Sequence, residues 1–528
     1  MADVSTFAPY ESVRKGLDDA WNARFTSALS TLKALPPTPR TELAVSQVYV
    51  LLSFTSGRVS DKESALSSAS SAVSSGEKVL KKDDRVAELA ASYGLAEEVH
   101  PMLRLEVEVG VAMARIFSAL MHFGLGSRLK GLNALRKAWK LFRSLRDRLG
   151  EAEAEPEVAA EIRFGLGLIM FTISLAPKGL ASKILKLVGF EADRTVGLDH
   201  LRAVSGDAAQ CVASPWATSV LLANNLYFPR GFGGNDELLA DADALLTRVL
   251  ETYPNCALFH MLRGQYARKT GNPKLAEDAA QAASAAVAEE PLVPGAYLYR
   301  SEAASAALLM CQWEVASERM VSLLEDTDSG ESNFEIRGLV ALCLASAQAQ
   351  AGEEEAAAAT LEAVDGYVCK SSRFDDLAAE MAKGTRAQDP VGLPLLAFEI
   401  MYLKRELKPL RGEPLQVFET AFERAVEAAG DGVDAKAVVL LVRGAIATCK
   451  GEVERAVECF TGVVGMDPQP QVLRYCVPYA RFELAELAFL GGRVEECVEH
   501  LDEIDRVKGG FVWEAPLYLR VKQARKQL

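Results

Sequence analysis

The chain has 528 residues, 49% of them hydrophobic and 25% charged, with a formal net charge of −14. That much apolar material excludes a disordered chain, and the acidic balance argues against a nucleic-acid partner, which would need a cationic face for phosphate. Ala and Leu abound while 21 Pro and 38 Gly are ordinary counts, so an almost wholly helical, all-α protein is expected.

At the amino terminus, MADVSTFAPYESVRKG lacks the apolar core of a signal peptide. FTSALSTLKAL (25–35) and SALSSASSAV (64–73) read as degenerate helical repeat units, and the serine-rich run around the second keeps Val and Leu at helical spacing. The nine cysteines are scattered, odd in number and without a CxxC pair, which speaks against a disulfide framework and a zinc site. A cytoplasmic protein is expected, with the nucleus left open.

The charge is uneven. Residues 101–200 carry 15 Lys and Arg against 11 Asp and Glu. The basic segment RLKGLNALRKAWKLFRSLRDRLG (128–150) places Leu132, Leu135, Trp139, Phe142 and Leu149 at spacings of three, four and seven, an amphipathic helix. After an acidic linker (150–158) comes FGLGLIMFTISLAP (164–177), fourteen positions without a charge. A spanning helix needs roughly 20 apolar residues, so no transmembrane span is expected. Two helices joined near Pro177 are expected instead, the first buried and the second, 178–190, amphipathic with Lys178, Lys183 and Lys186 to one side. Basic amphipathic helices also suit an anionic lipid surface. Lys137, Lys140, Arg143, Lys183 and Lys186 are the candidates for that contact. The competing reading is two ordinary repeat helices, because Leu, Trp and Phe at helical spacing usually mark core.

The carboxy-terminal half shows a period. LRGQYARKTGNPKLAEDAAQAA (262–283) and VRGAIATCKGEVERAVECFTGV (442–463) align without a gap, matching Gly264, Gly271 and Ala276 to Gly444, Gly451 and Ala456. This resembles the tetratricopeptide signature, in which small residues let two helices approach and glycine makes the tight turn. Ala316, Ala357 and Cys497 occupy the helix-B alanine position in weaker copies. The expected architecture is a stack of helical hairpins wound into a right-handed superhelix, an α-solenoid. Three stretches of one continuous solenoid are expected: amino-terminal repeats (1–150) ending in a basic amphipathic helix, an apolar helical core (151–250) and carboxy-terminal repeats (251–528) with a seam near 370–394. Arg263 and Arg443, at equivalent positions before the paired glycines, are the candidate partner contacts.

Residues 99–201 add a more specific signal. KGLNALRKA (130–138), the F-G-x-G of 164–167, LAPK (175–178) and LKLVGFEADRTVGL (185–198) resemble the core of the tetratricopeptide repeat protein 39 family. That family includes fungal inclusion body clearance proteins, also labelled mitochondrial outer membrane proteins. The resemblance implies a helical-repeat adaptor linked to lipid and sterol homeostasis, lipid droplets and clearance of aggregated protein, and it attaches no catalytic residue. Gly189, Asp193, Arg194 and Gly197 lie in the most specific of these motifs. Asp193 and Arg194 are expected to organise a corner as a cap or an ion pair.

No P-loop, HExxH or GxSxG occurs; GFGGND (231–236) reads as a loop, and the five histidines are isolated. No enzyme activity, cofactor or metal is expected. The sequence therefore suggests a scaffold that binds a protein segment. The alternatives are a peripheral membrane or lipid-droplet protein docking through 128–150 and 178–190, and a carrier holding lipid beside 164–190.

Overall fold

The computed structural model describes residues 7–175, 193–206, 211–228, 231–233, 235–327, 334, 336–369, 372–387, 390–507, 510–511 and 513–528. Among these residues every regular element is a helix. The helix boundaries follow local chemistry. Pro39, Pro156 and Pro273 each occupy the first helical position of their helices, where a missing N–H costs nothing. The Thr38 hydroxyl accepts from the Thr41 N–H at 3.2 Å, and Gly57 and Gly451 close their helices with φ of +71° and +77°.

Successive helices pack in pairs: Pro39–Ser56 on Val59–Leu80, His100–Gly124 on Arg128–Arg146, Arg337–Gln350 on Glu354–Tyr367, Val433–Lys450 on Val453–Val464, and Cys476–Leu490 on Val494–Arg506. A hairpin cannot bury its apolar stripe alone, and stacking does so. Ala276, Ala316, Ala357, Ala456 and Cys497 are all buried, as close approach of the second helix demands. Gly271 turns its hairpin with φ +73°. The two crossing glycines differ in stringency. A Cβ on Gly444 would lie 2.6 Å from the Phe460 ring, whereas one on Gly264 would meet nothing nearer than 3.5 Å.

The chain forms two compact units. The amino-terminal unit comprises Met1–Asn224, Ala244–His260 and Ala285–Ala296; the carboxy-terminal unit comprises Asn225–Asp243, Met261–Ser284 and Tyr297–Leu528. The breaks expected near 150 and 250 do not coincide with this division. Nor does the segment near 370–394 separate units: its helix Arg373–Ala387 lies within the second one, burying Ala378, Met381 and Ala382.

The uncharged strip is the spine of the amino-terminal unit. In the helix Pro156–Ser174, Phe164 through Phe171 are all buried, and so is Ile173. Its packing is backbone-close: a Cβ on Gly167 would lie 2.7 Å from the Gly197 carbonyl oxygen, and one on Gly197 would lie 3.0 Å from the Gly167 carbonyl oxygen and the Phe171 nitrogen. The remainder of the strip and the segment to 192, with Lys183, Lys186 and Gly189, lie outside the described residues.

A different segment, Glu97–Gly124, is long and apolar enough to cross a membrane, yet 61% of its apolar window is buried within the protein. It also carries Glu106, which is buried in an ionic cluster. The Arg40 guanidinium, side chain 1% exposed, donates to Glu106 Oε1 at 2.6 Å and to Glu161 at 2.8 and 2.9 Å. It also donates to the Tyr10 hydroxyl at 3.1 Å, and that hydroxyl donates to Glu161 at 2.9 Å. Burial raises the Glu106 carboxyl above the usual range despite Arg40, because desolvation penalises the anion.

In the carboxy-terminal unit the core is aromatic around Phe398, whose ring meets Phe418 at 5.2 Å and Phe422 at 5.3 Å edge-on.

Candidate functional site: cationic surfaces on the helical hairpins

The helix Arg128–Arg146 buries Leu135, Ala138, Trp139, Phe142 and Leu145 against the rest of the amino-terminal unit. Gly131 makes this possible at the first turn, since a Cβ there would strike the Phe123 ring at 2.7 Å. The opposite side is cationic. Arg128, Lys130, Arg136, Lys137, Lys140 and Arg143 are all exposed, and among the described residues none is held by a carboxylate. Arg146 and Arg148, at the helix end, are engaged with Asp147, Glu108 and Glu151. The apolar stripe is thus spent inside the fold while the charge remains available outside.

Arg263 and Arg443 occupy equivalent places and make equivalent contacts. Each reaches an acid twenty positions earlier on the preceding helix: Arg263 pairs with Asp243, and Arg443 with Glu423 at 3.1 and 2.6 Å. Arg263 also stands 5.2 Å from the Tyr266 ring. The Arg443 pair lies beside a cleft of about 480 Å³ that Glu419, Arg455 and Glu458 also line. Their shared position therefore corresponds to a shared inter-hairpin ion pair.

At the corner after the strip, Asp193 is the N-cap of the helix Arg194–Ser205, accepting from the Thr195 and Val196 N–H groups at 2.9 and 3.1 Å. Arg194 turns the other way, donating to the Asn224 side-chain oxygen at 2.6 Å and standing 5.8 Å from the Phe171 ring. The motif residues Gly167, Asp193, Arg194 and Gly197 are thus brought to one helix crossing.

The sequence reading missed a second cationic cluster. The GFGGND segment, read as a plain loop, inserts Phe232 into the carboxy-terminal core, 4.9 Å from Phe489 and 5.6 Å from Phe482. Gly231 and Gly233 then line a cavity of about 380 Å³ with Lys269, Lys404, Arg405, Lys408 and Arg520. The signal available in the sequence was KRELK (404–408), three cations in five positions directly after a largely apolar run.

Stacked hairpins with charged helix faces define a helical-repeat scaffold. The chain belongs to the Iml2/tetratricopeptide repeat protein 39 family, whose model matches residues 14–450. Among solved structures it is similar to yeast Tom70, at 13% identity over 98% of this chain and 96% of that one, with a TM-score of 0.30. It is also similar to a chain of the Cut9–Hcn1 hetero-tetramer of the APC/C, at 12% identity over 97% of this chain and 96% of that one, with a TM-score of 0.27. Likenesses this loose carry nothing about function.

Proposed function

We propose that the protein is a non-enzymatic adaptor whose hairpin scaffold binds protein partners, with the cationic face of the Arg128–Arg146 helix receiving an acidic segment, in lipid or sterol homeostasis or in clearance of aggregated protein. The observation that carries the reading is the row of six exposed cations, without carboxylate partners among the described residues, on a helix whose apolar stripe is already buried. Attraction through such a row is electrostatic and steers an acidic surface over a Debye length of about 8 Å at physiological salt. The test is proximity labelling in cells with the wild type and with Lys137→Glu/Lys140→Glu/Arg143→Glu. The reading expects a set of neighbours lost in the variant at unchanged protein level. An identical labelled set removes this face from the function.

A second reading, peripheral docking on anionic membrane, draws on the same cations. Each basic residue near an anionic surface contributes about 1 kcal/mol. With the apolar stripe buried, this helix would adsorb without inserting. Flotation with phosphatidylserine vesicles would then be abolished at about 1 M salt, where the screening length is about 3 Å. Absence of flotation at low salt refutes it.

A further inference from the structure

We propose that the cavity in the carboxy-terminal unit binds a phosphate-bearing ligand, with Lys269, Arg405 and Arg520 supplying the charge. Among the described residues its wall carries five cationic side chains against two acidic ones, Asp236 and Glu486. Two of the five are already answered. Lys404 lies 3.1 Å from Glu406, and Lys408 is paired with Glu486 and lies 3.6 Å from Glu483. Arg268, behind the wall, is held by Glu302 and lies 3.6 Å from Glu406.

The other three are answered weakly or not at all. Lys269 has no hydrogen bond or ion pair among the described residues, with Glu406 its opposing charge at longer range. The nearest carboxylate to Arg405 is Glu486, at 3.9 Å. Arg520 gives one N–H to the Leu403 carbonyl at 3.3 Å and stands 5.6 Å from the Tyr479 ring. The strain of crowding them is visible in their acidities. Burial, with Arg405, Arg520 and Arg268 adding to it, pushes the Lys269 ammonium down to about 8. Burial and then Arg405 push Arg520 down to about 10. An anion between them relieves both costs.

The fold builds this convergence from separate elements. Lys269 ends the helix Ala257–Lys269, seated by Gly271, whose Cβ would lie 2.2 Å from the Pro409 carbonyl oxygen. Arg405 follows the helix Leu396–Leu403 with φ +59°, a left-handed conformation rare outside glycine. Arg520 lies on the helix Glu514–Ala524, which rests on Gly231, where a Cβ would lie 2.0 Å from the Ala524 nitrogen. A single carboxylate answers one of three positive charges. A phosphate monoester carries about −1.5 to −2 at neutral pH and offers three acceptor oxygens, and guanidinium forks engage such oxygens in pairs. Tyr227, Phe228, Leu239 and Leu519 leave an apolar wall for the organic part. The volume falls within the range of about 300–1,000 Å³ usual for small-molecule sites.

The test uses the full chain and two probes of one chemistry: glycerol phosphate in solution, and phosphatidylcholine vesicles with or without phosphatidic acid. Calorimetry should show glycerol phosphate binding that Lys269→Gln and Arg520→Gln each weaken about tenfold or more, as loss of a charge-assisted bond does. Leu519→Glu guards against misfolding, because Leu519 is 44% exposed and its replacement brings a carboxylate to the rim; it should abolish binding. With the Lys269 ammonium pushed down to about 8, binding at pH 8 should take up more proton in the wild type than in Lys269→Gln. All variants keep the amino-terminal cations, so their difference from the wild type in flotation reports the cavity alone. Solution binding without Leu519→Glu-sensitive flotation assigns a soluble ligand, and flotation that glycerol phosphate competes away assigns a lipid headgroup. Failure of both probes overturns the proposal, as does binding that all three variants leave unchanged.

Discussion

Replacing Arg40 with Met removes the cation that bridges two carboxylates that are themselves buried, Glu106 at 2% and Glu161 at 1% side-chain exposure. Breaking one buried pair costs about 3–5 kcal/mol, because the remaining charge has neither water nor partner. Here two acids are orphaned together, so the upper end, about 5 kcal/mol, is expected. That is most of the stability of an ordinary domain, about 5–15 kcal/mol. The cost should depend on pH in a definite sense. Burial already raises the Glu106 carboxyl against the pull of Arg40, so in the variant its protonated form favours folding and the deficit shrinks as pH falls from 7.5 towards 5. The slope is at most about 1.4 kcal/mol per pH unit for each proton. Because the chain has two compact units, a single melting temperature is not a clean measure. Hydrogen exchange in the helices Pro39–Ser56 and Pro156–Ser174, followed against denaturant, reads the right unit. The variant Arg40→Met/Glu106→Leu/Glu161→Gln, which removes the charges together and keeps an acceptor for Tyr10, should recover most of the loss. Protection in Arg40→Met within about 1 kcal/mol of wild type at pH 7.5 would refute the reasoning.

Gly197→Ala sets two effects against each other: a helix-propensity gain of up to about 1 kcal/mol and overpacking against the Gly167 and Phe171 backbone of about 1–3 kcal/mol. A net loss is expected in exchange protection of Arg194–Ser205, and a neutral or stabilised protein contradicts the crossing geometry. Arg443→Glu alone should cost no more than about 1 kcal/mol in chemical denaturation, as exposed pairs do, and the swap with Glu423→Arg should restore it. If partner capture falls in the swap while stability returns, Arg443 touches the partner; unchanged capture leaves it a structural residue. Burial pushes the Glu399 carboxyl up to about 7. Its stabilising contribution, present below about 4.3, is therefore lost as pH rises through 7, amounting to about 4 kcal/mol. Glu399→Gln should flatten that part of the stability profile of the carboxy-terminal unit, and an unchanged slope between pH 5 and 8 assigns it elsewhere.

Much of the architecture was legible because it is local. Heptad-like spacing around Trp139 and Phe142 and glycine at Gly451 act within a few residues, and each appears where the chain chemistry places it. The buried alanines of the second helices follow from the same close-approach requirement. The strip 164–177 was readable as core because it is too short to span a bilayer and lies between charged segments, and Phe164 to Phe171 are buried in it. The equivalence of Arg263 and Arg443 was also visible, though its physical content, an acid on the preceding helix, was not.

Periodicity says which face of a helix is apolar, and that sufficed for helices, hairpins and the burial of small residues. It carries no information about which charges meet. Arg40 finds its acids 66 and 121 positions away, and the cationic cavity draws Gly231, Lys269, Arg405 and Arg520 from four separated stretches. Coulomb interaction depends on distance and desolvation, and both are set by packing after the stripes have been buried. So the scaffold is written in short-range pattern, while the sites on it arise from where that pattern brings distant charges together.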